Sequence, residues 1–225
     1  PVSVAAGEGL PSVTTGDASS VTETSATLNG VLTDMGKQDI LAIASGRGHT
    51  LAIRWDGTLW AWGCNDYGQL GDATTTYRYS PVRVGTENTW TAITCGDYYS
   101  FGLRSDGTLW AWGRNDYGQL GLGDGSTRYS PVQVVGTWKD IPYTCSRSDG
   151  CCYYTMGLRS DGTLWAWGWN GYGNLGLGDT SQRNSPVQVG SAIWKTITVG
   201  MCYDEGLWTM GIQSNGTLWA WGWNG

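Results

Sequence analysis

From residue 40 onward, apolar and polar positions alternate in short runs separated by glycine turns. In Leu109-Trp110-Ala111-Trp112-Gly113 the period is two, the period of a β-strand. Trp110 and Trp112 share one face; Leu109, Ala111 and Gly113 share the other. Bulky residues on one face and small ones on the other let sheets stack closely. Asp106-Gly107 stands between this run and Leu103-Arg104-Ser105, and Asp-Gly between alternating runs is the strongest short signal for a hairpin. Pro131-Val132-Gln133-Val134 reads as an outer strand, because proline tolerates an edge where fewer backbone donors are needed. No stretch shows helical periodicity.

These parts repeat. Asp56 to Gly63, Asp106 to Gly113, Asp161 to Gly168 and Asn215 to Gly222 carry one pattern, spaced by 50 to 55 residues. Asn65 to Gly71 is matched by Asn115 to Gly121 and Asn170 to Gly176, and Ser80 to Val84 by Ser130 to Val134 and Ser185 to Val189. A Trp with Ile three residues later opens the following unit at Trp90/Ile93, Trp138/Ile141 and Trp194/Ile197. Four strands per unit of about 50 residues predict an all-β fold, a β-propeller of four-stranded blades. Three repeats are complete (about 39–85, 86–136 and 137–190) and one, 191–225, lacks its last strand. Residues 1–38 precede them as an extended or partly stranded arm. Pro1-Val2-Ser3-Val4 resembles the outer-strand motif and is a candidate donated outer strand.

Gly46 to Ile53 (Gly-x-x-His-Thr-Leu-Ala-Ile), the Asp-Gly-Thr-Leu-Trp-Ala-Trp-Gly units and Asn-Asp-Tyr-Gly-Gln-Leu-Gly resemble the regulator of chromosome condensation repeat, in its bacterial, secreted style. The resemblance covers roughly residues 40 to 225. It implies a β-propeller, usually of seven blades, that acts as a binding platform. One eukaryotic member is a nucleotide exchange factor on chromatin, and a bacterial one inhibits β-lactamases through an aromatic-rich face. The motif histidine stands only at His49; Tyr99, Tyr154 and Trp208 take its place in the later units. Pro11 to Thr15 and Thr24 to Gly30 resemble the first strands of a fibronectin type III domain of bacterial surface proteins.

Composition refines this. Thirteen Lys and Arg against nineteen Asp and Glu give a net charge of −6, which argues against nucleic acid and anionic membrane surfaces as partners. No apolar run approaches the ~20 residues of a membrane span. Fifteen Trp, twelve Tyr and one Phe place the core on the repeated tryptophans. A histidine-based metal or triad site would depend wholly on His49. Asp56, Asp106 and Asp161 read as turn residues, and Gly121 to Gly125 lacks both the lysine of a phosphate loop and the spaced acids of a calcium loop. No catalytic, cofactor or metal site is therefore predicted.

Six cysteines without C-x-x-C spacing, few lysines and many Thr and Ser predict an extracellular or cell-surface protein with disulfides. The candidate pairs are Cys64 with Cys95, Cys145 with Cys151, and Cys152 with Cys202. No targeting segment is visible, so the chain is expected to be processed or part of something longer. The expected function is a non-catalytic scaffold that self-associates or adheres, completing its propeller with another copy and polymerising head to tail. The alternative is a soluble binding module for a protein or a glycan, or a fragment of a seven-bladed protein. The candidate interface comprises Pro1, Val2, Val4, Tyr98, Tyr99, Tyr153, Tyr154, Trp169, Trp208 and Trp223, with Tyr67, Tyr117 and Tyr172 recurring in one loop.

Overall fold

The computed structural model describes residues 40–140, 143–144, 153–201 and 207–223, and the backbone alone of 3–4, 13–15, 19–22, 25–27 and 30–32. Its regular structure is entirely strand. The N-terminal segment carries β1 (Ser3–Val4), β2 (Val13–Thr15), β3 (Ser19–Thr22), β4 (Ser25–Thr27) and β5 (Gly30–Leu32). They form a three-stranded sheet, β1-β2-β5, and a hairpin, β3-β4. The candidate donated outer strand pairs, over its described residues, within the arm. Ser3 and Val4 pair antiparallel with Thr14 and Val13, inside the arm. Pro1 and Val2 lie outside the described residues.

The first blade is β6 (Ile40–Ser45), β7 (His49–Arg54), β8 (Leu59–Gly63) and β9 (Arg78–Arg83); the second is β10 (Trp90–Cys95), β11 (Tyr99–Arg104), β12 (Leu109–Gly113) and β13 (Arg128–Val134). Each is an antiparallel meander in chain order. The third blade has β14 (Tyr143–Thr144), β15 (Tyr154–Leu158) and β16 (Thr163–Gly168). Its outer strand is the start of β17 (Arg183–Met201), which runs on without a break to become the inner strand of the fourth blade. There β17 pairs with β18 (Leu207–Gln213), and β18 with β19 (Leu218–Gly222). Among the described residues no helix is long and apolar enough to cross a membrane.

The turns explain the Asp-Gly-Thr-Leu-Trp spelling. Gly57 takes a positive φ of 76°, open to glycine at little cost. The Asp56 carboxylate accepts from the Thr58 N–H at 3.0 Å and from its hydroxyl at 2.6 Å, and the Thr58 oxygen accepts from Trp60 Nε1 at 2.9 Å. The relay recurs at Asp106-Thr108-Trp110, Asp161-Thr163-Trp165 and Asn215-Thr217-Trp219. An arginine then stacks on this tryptophan, with Arg54 4.0 Å from the Trp60 ring, Arg104 4.0 Å from Trp110 and Arg159 3.5 Å from Trp165.

The core lies between blades. Leu51, Ile53, Leu59, Ala61, Leu70 and Val84 of the first blade bury against Trp90, Ile93, Cys95 and Trp112 of the second. The second meets the third, and the third the fourth, in the same way. Trp90, Trp138 and Trp194 close over Gly102, Gly157 and Gly211, where a Cβ would stand 2.4, 2.6 and 2.5 Å from the ring. The first blade has Ile40 and Ala52 at these two positions, a smaller side chain over a larger one.

Hydrogen bonds lock the same interfaces. Trp112 Nε1 and Ser100 Oγ both donate to the Gln69 carbonyl of the preceding blade, at 2.9 and 2.8 Å. Trp167 and Thr155 do so to Gln119 at 2.8 and 2.9 Å, and Trp221 and Thr209 to Asn174 at 3.0 and 3.1 Å. The indole nitrogens rest on Gly71, Gly121 and Gly176, where a Cβ would come within 2.8 Å. Each carbonyl thus receives two donors, in a region closed to water at Gln69 and Gln119 and partly open at Asn174, and each of the first three blades bears on the next.

Candidate binding surface

The loop after the third strand of each of the first three blades is built on a buried asparagine. Asn65 Oδ1 accepts from Leu70 N at 3.0 Å, and Asn65 Nδ2 donates to the carbonyls of Thr74 and Thr76 at 3.0 and 3.2 Å. Asn115 and Asn170 repeat the bond to Leu120 and Leu175. Ion pairs Arg78–Asp72, Arg128–Asp124 and Arg183–Asp179, at 2.7, 2.7 and 2.6 Å, close the far side. At Asp72 burial is outweighed by the Thr74 hydroxyl, Arg78 and the Thr74 amide; Arg128 at Asp124, and the Ser181 amide with Arg183 at Asp179, likewise hold the carboxylate below its usual range. The loop is therefore preset, and it carries Tyr67, Tyr117 and Tyr172.

These tyrosines meet aromatics from neighbouring loops. Tyr67 lies 5.1 Å from Tyr98, Tyr117 stacks on Tyr153 at 4.5 Å, and Trp169 meets Tyr172 edge-on at 5.0 Å. Arg114 sits between the first two pairs, 5.0 Å from the Tyr67 ring and 5.1 Å from Tyr153, with its Nε donating to Asp116 at 2.6 Å. Arg47 caps Tyr98 at 5.4 Å. The result is a ladder, Arg47-Tyr98-Tyr67-Arg114-Tyr153-Tyr117, that runs across three blades on one end of the strands. Its tyrosines are half-buried, with exposed Asp66 and Asp116 beside them. Asp66 accepts from the Tyr77 hydroxyl at 2.5 Å, a bond that raises the Tyr77 pKa and keeps it neutral.

The structure thus brings Tyr98 and Tyr153 together with the recurring tyrosines, and it removes two others from the surface. Tyr99 and Tyr154 are fully buried. Their hydroxyls are pegs into the next blade, donating to the carbonyls of Tyr154 at 3.4 Å and Trp208 at 2.9 Å. Burial raises the pKa of both, that of Tyr154 to about 12. Trp169 is half-buried against its own loop. Trp208 and Trp223 line a pocket of about 480 Å³ with Met210, Ala220 and Trp221, on the side of the fourth blade that faces away from the third. Val4 has only its backbone described.

His49 stands at the Tyr99 and Tyr154 position. Its Nε2 lies 3.0 Å from Ser100 Oγ, whose own proton goes to the Gln69 carbonyl. Both residues are closed to solvent, and burial lowers the His49 pKa from 6.5 to about 4, so the imidazole is neutral. The pair is a bond between blades. Among the described residues no group of three His, Cys, Asp or Glu could hold a metal. The expected Cys64–Cys95 bridge is not formed; both are free thiols. Cys95 points into the core between the first two blades, while Cys64 lies outside it against Gly48. Burial pushes the Cys95 thiol up to about 12. Cys145, Cys151, Cys152 and Cys202 fall outside the described residues.

Stacked four-stranded meanders joined by repeated Trp clips define an all-β protein with the blades of a propeller. The regulator of chromosome condensation (RCC1) repeat matches residues 56–103, 106–141 and 161–200, more than half of the chain, and a second form of that repeat matches 40–69 and 90–119. The chain belongs to the RCC1 repeat family. The arm before residue 40 lies outside both matches. The chain is 30% identical over 198 residues to the ultraviolet-B receptor UVR8 of Arabidopsis thaliana, which covers 81% of this chain and 41% of the receptor. It is also similar in structure to human WBSCR16, with a TM-score of 0.69 and 21% identity over 83% of this chain and 48% of that one. Yeast RCC1 (Prp20), solved bound to Kap60, gives 0.65 and 21% over 87% and 46%. The chain therefore spans less than half the length of these relatives.

Proposed function

We propose that this chain is a non-catalytic binding module that engages a protein partner through the tyrosine–arginine ladder of its loop face. The observation that carries the reading is the ladder itself. Tyr and Arg are enriched among interface anchors, and here their rotamers are already fixed by stacking, so little side-chain freedom is lost on binding. The relatives are in keeping with it: yeast RCC1 (Prp20) forms a complex with Kap60 and has binding properties to Gsp1p and histones. The test is affinity capture with the wild-type chain and with a variant carrying Tyr67→Ser, Arg114→Ser and Tyr117→Ser. Proteins held by the first and released by the second, with circular dichroism unchanged, support the reading. Equal retention by both refutes it.

A second reading, association with further copies, rests on the two outward blade faces. Leu59, Leu109 and Leu164 are 0% exposed, whereas their equivalent Leu218 in the fourth blade is 63% exposed. Ile93 and Ile197 are buried, whereas Ile43 in the first blade is 67% exposed. These faces are the two halves of the contact made three times within the chain. Light scattering decides: a mass above one chain that falls on Leu218→Glu supports self-association, and a monomer at all concentrations removes it.

A further inference from the structure

The second and third blades differ in the partner of one repeated arginine. In the second, Arg104 stacks on Trp90 and Trp110, 4.6 and 4.0 Å from their rings, and its Nη1 lies 4.0 Å from the Glu87 carboxylate. Arg159 takes the same place in the third blade, 3.5 Å from Trp165 and 5.4 Å from Trp138. It has no Glu87. The link from Val134 to Trp138 is two residues shorter than that from Val84 to Trp90, and the residue three before the tryptophan is Val135, not a glutamate. Among the described residues no carboxylate comes within ion-pair distance of Arg159. Asp161 acts on it only at longer range, and its Oδ1 is held by the Thr163 amide and hydroxyl.

The shortened link leaves a groove. A cavity of about 330 Å³ opens between the blades, walled by Leu122, Val135 and Pro186, with Gln133, Ser185 and Arg159 as its polar groups. Val135 is 80% exposed, and Arg159 Nε, like Arg104 Nε in the second blade, is buried with no hydrogen-bond acceptor, so what sets the third blade apart is the carboxylate missing beside the guanidinium. Gly136 lies flush against the guanidinium, where a Cβ would meet Nη2 at 2.9 Å. Burial lowers the Arg159 pKa without neutralising it, so the groove holds a stacked, charged fork that no carboxylate of the described residues pairs with.

We propose that this groove binds the Asp or Glu side chain of a partner peptide, with its carboxylate on Arg159 and a neighbouring apolar residue against Leu122, Val135 and Pro186. The ligand supplies in trans the carboxylate that Glu87 supplies in cis one blade earlier. A guanidinium fixed by ring stacking presents its N–H donors in the fork that a carboxylate matches, and the apolar walls select a peptide over a bare anion.

The test is a titration of the full ¹⁵N-labelled chain with acetyl-Leu-Glu-Leu-amide and, separately, acetyl-Leu-Gln-Leu-amide, at fixed ionic strength. The expected result is saturable shifts at the Val135 and Gly136 amides and at Arg159 Nε–H, at least about tenfold weaker for the glutamine peptide. Arg159→Gln weakens the glutamate peptide by a similar factor. Val135→Glu does the same by restoring an internal carboxylate, and it keeps the stacked arginine, so it decides the matter if Arg159→Gln misfolds. Equal binding of the two peptides, absence of saturable shifts at these residues, or full binding by Val135→Glu overturns the proposal.

Discussion

The Gln119 carbonyl offers the sharpest test of how the blades are joined. It accepts from Trp167 Nε1 at 2.8 Å and from Thr155 Oγ1 at 2.9 Å, and both donors are fully buried. Thr155→Val keeps the shape and removes one neutral hydrogen bond, at a cost of about 1 kcal/mol. Trp167→Phe removes the other bond and part of a packed ring, at about 2 to 3 kcal/mol. In either single variant the carbonyl keeps a donor. In the double variant it keeps none, and stranding a buried acceptor adds about 1 to 3 kcal/mol beyond the sum. Native-state hydrogen exchange of the β15 and β16 amides reads this locally, without requiring the blades to unfold as one unit. A double-mutant cycle that closes within about 0.5 kcal/mol would refute the two-donor clip.

The remaining expectations concern packing, protons and thiols. Gly157→Ala drives a methyl into Trp138 and destabilises the third blade by about 1 to 3 kcal/mol, and Trp138→Ile in the same chain recovers part of the loss, as Ile40 over Ala52 suggests; thermal denaturation of the three variants checks it. His49 has a folded pKa of about 4 against 6.5 unfolded, so the unfolded chain binds the extra proton between these values. Its contribution to stability is complete above pH 6.5 and falls as the pH drops, by about 2 kcal/mol at pH 5. Urea unfolding of His49→Gln should lack that component of the wild-type slope, and parallel slopes would exclude it. Iodoacetamide should label half-buried Cys64 in the native chain and reach Cys95 only after unfolding, read by peptide mass spectrometry; a native Cys64–Cys95 disulfide would contradict the thiol assignment.

The strand pattern was legible because a period of two and an Asp-Gly turn are local facts. The use of both faces of Leu-Trp-Ala-Trp-Gly followed from the alternation of large and small residues. The threonine of the turn was not singled out, although its recurrence two residues before a tryptophan was visible; its role depends on a side-chain relay, not on hydropathy. The same holds for Gln69, Gln119 and Asn174, whose main-chain oxygens do the work whatever the side chain. Tyr99 and Tyr154 were read as surface residues because they adjoin Tyr98 and Tyr153, yet in a strand neighbours point to opposite sides. Pairing Tyr67 with Tyr98 requires two loops some thirty residues apart to meet, which only the stacking of blades provides. The missing counterpart of Glu87 beside Arg159 is readable by aligning Glu87 with Val135.

The clips also have a direction. In every interface the acceptor belongs to the earlier blade and both donors to the later one. A nascent chain leaving the ribosome therefore completes each acceptor loop before the tryptophan that needs it has been synthesised. Assembly can proceed vectorially, with each finished blade serving as the template for its successor. The Leu–Ala face of the newest blade stays bare until the next arrives, which at about 5 to 20 residues per second means several seconds for a unit of this length. That travelling sticky front is where a chaperone would be needed, and it moves along the chain with synthesis.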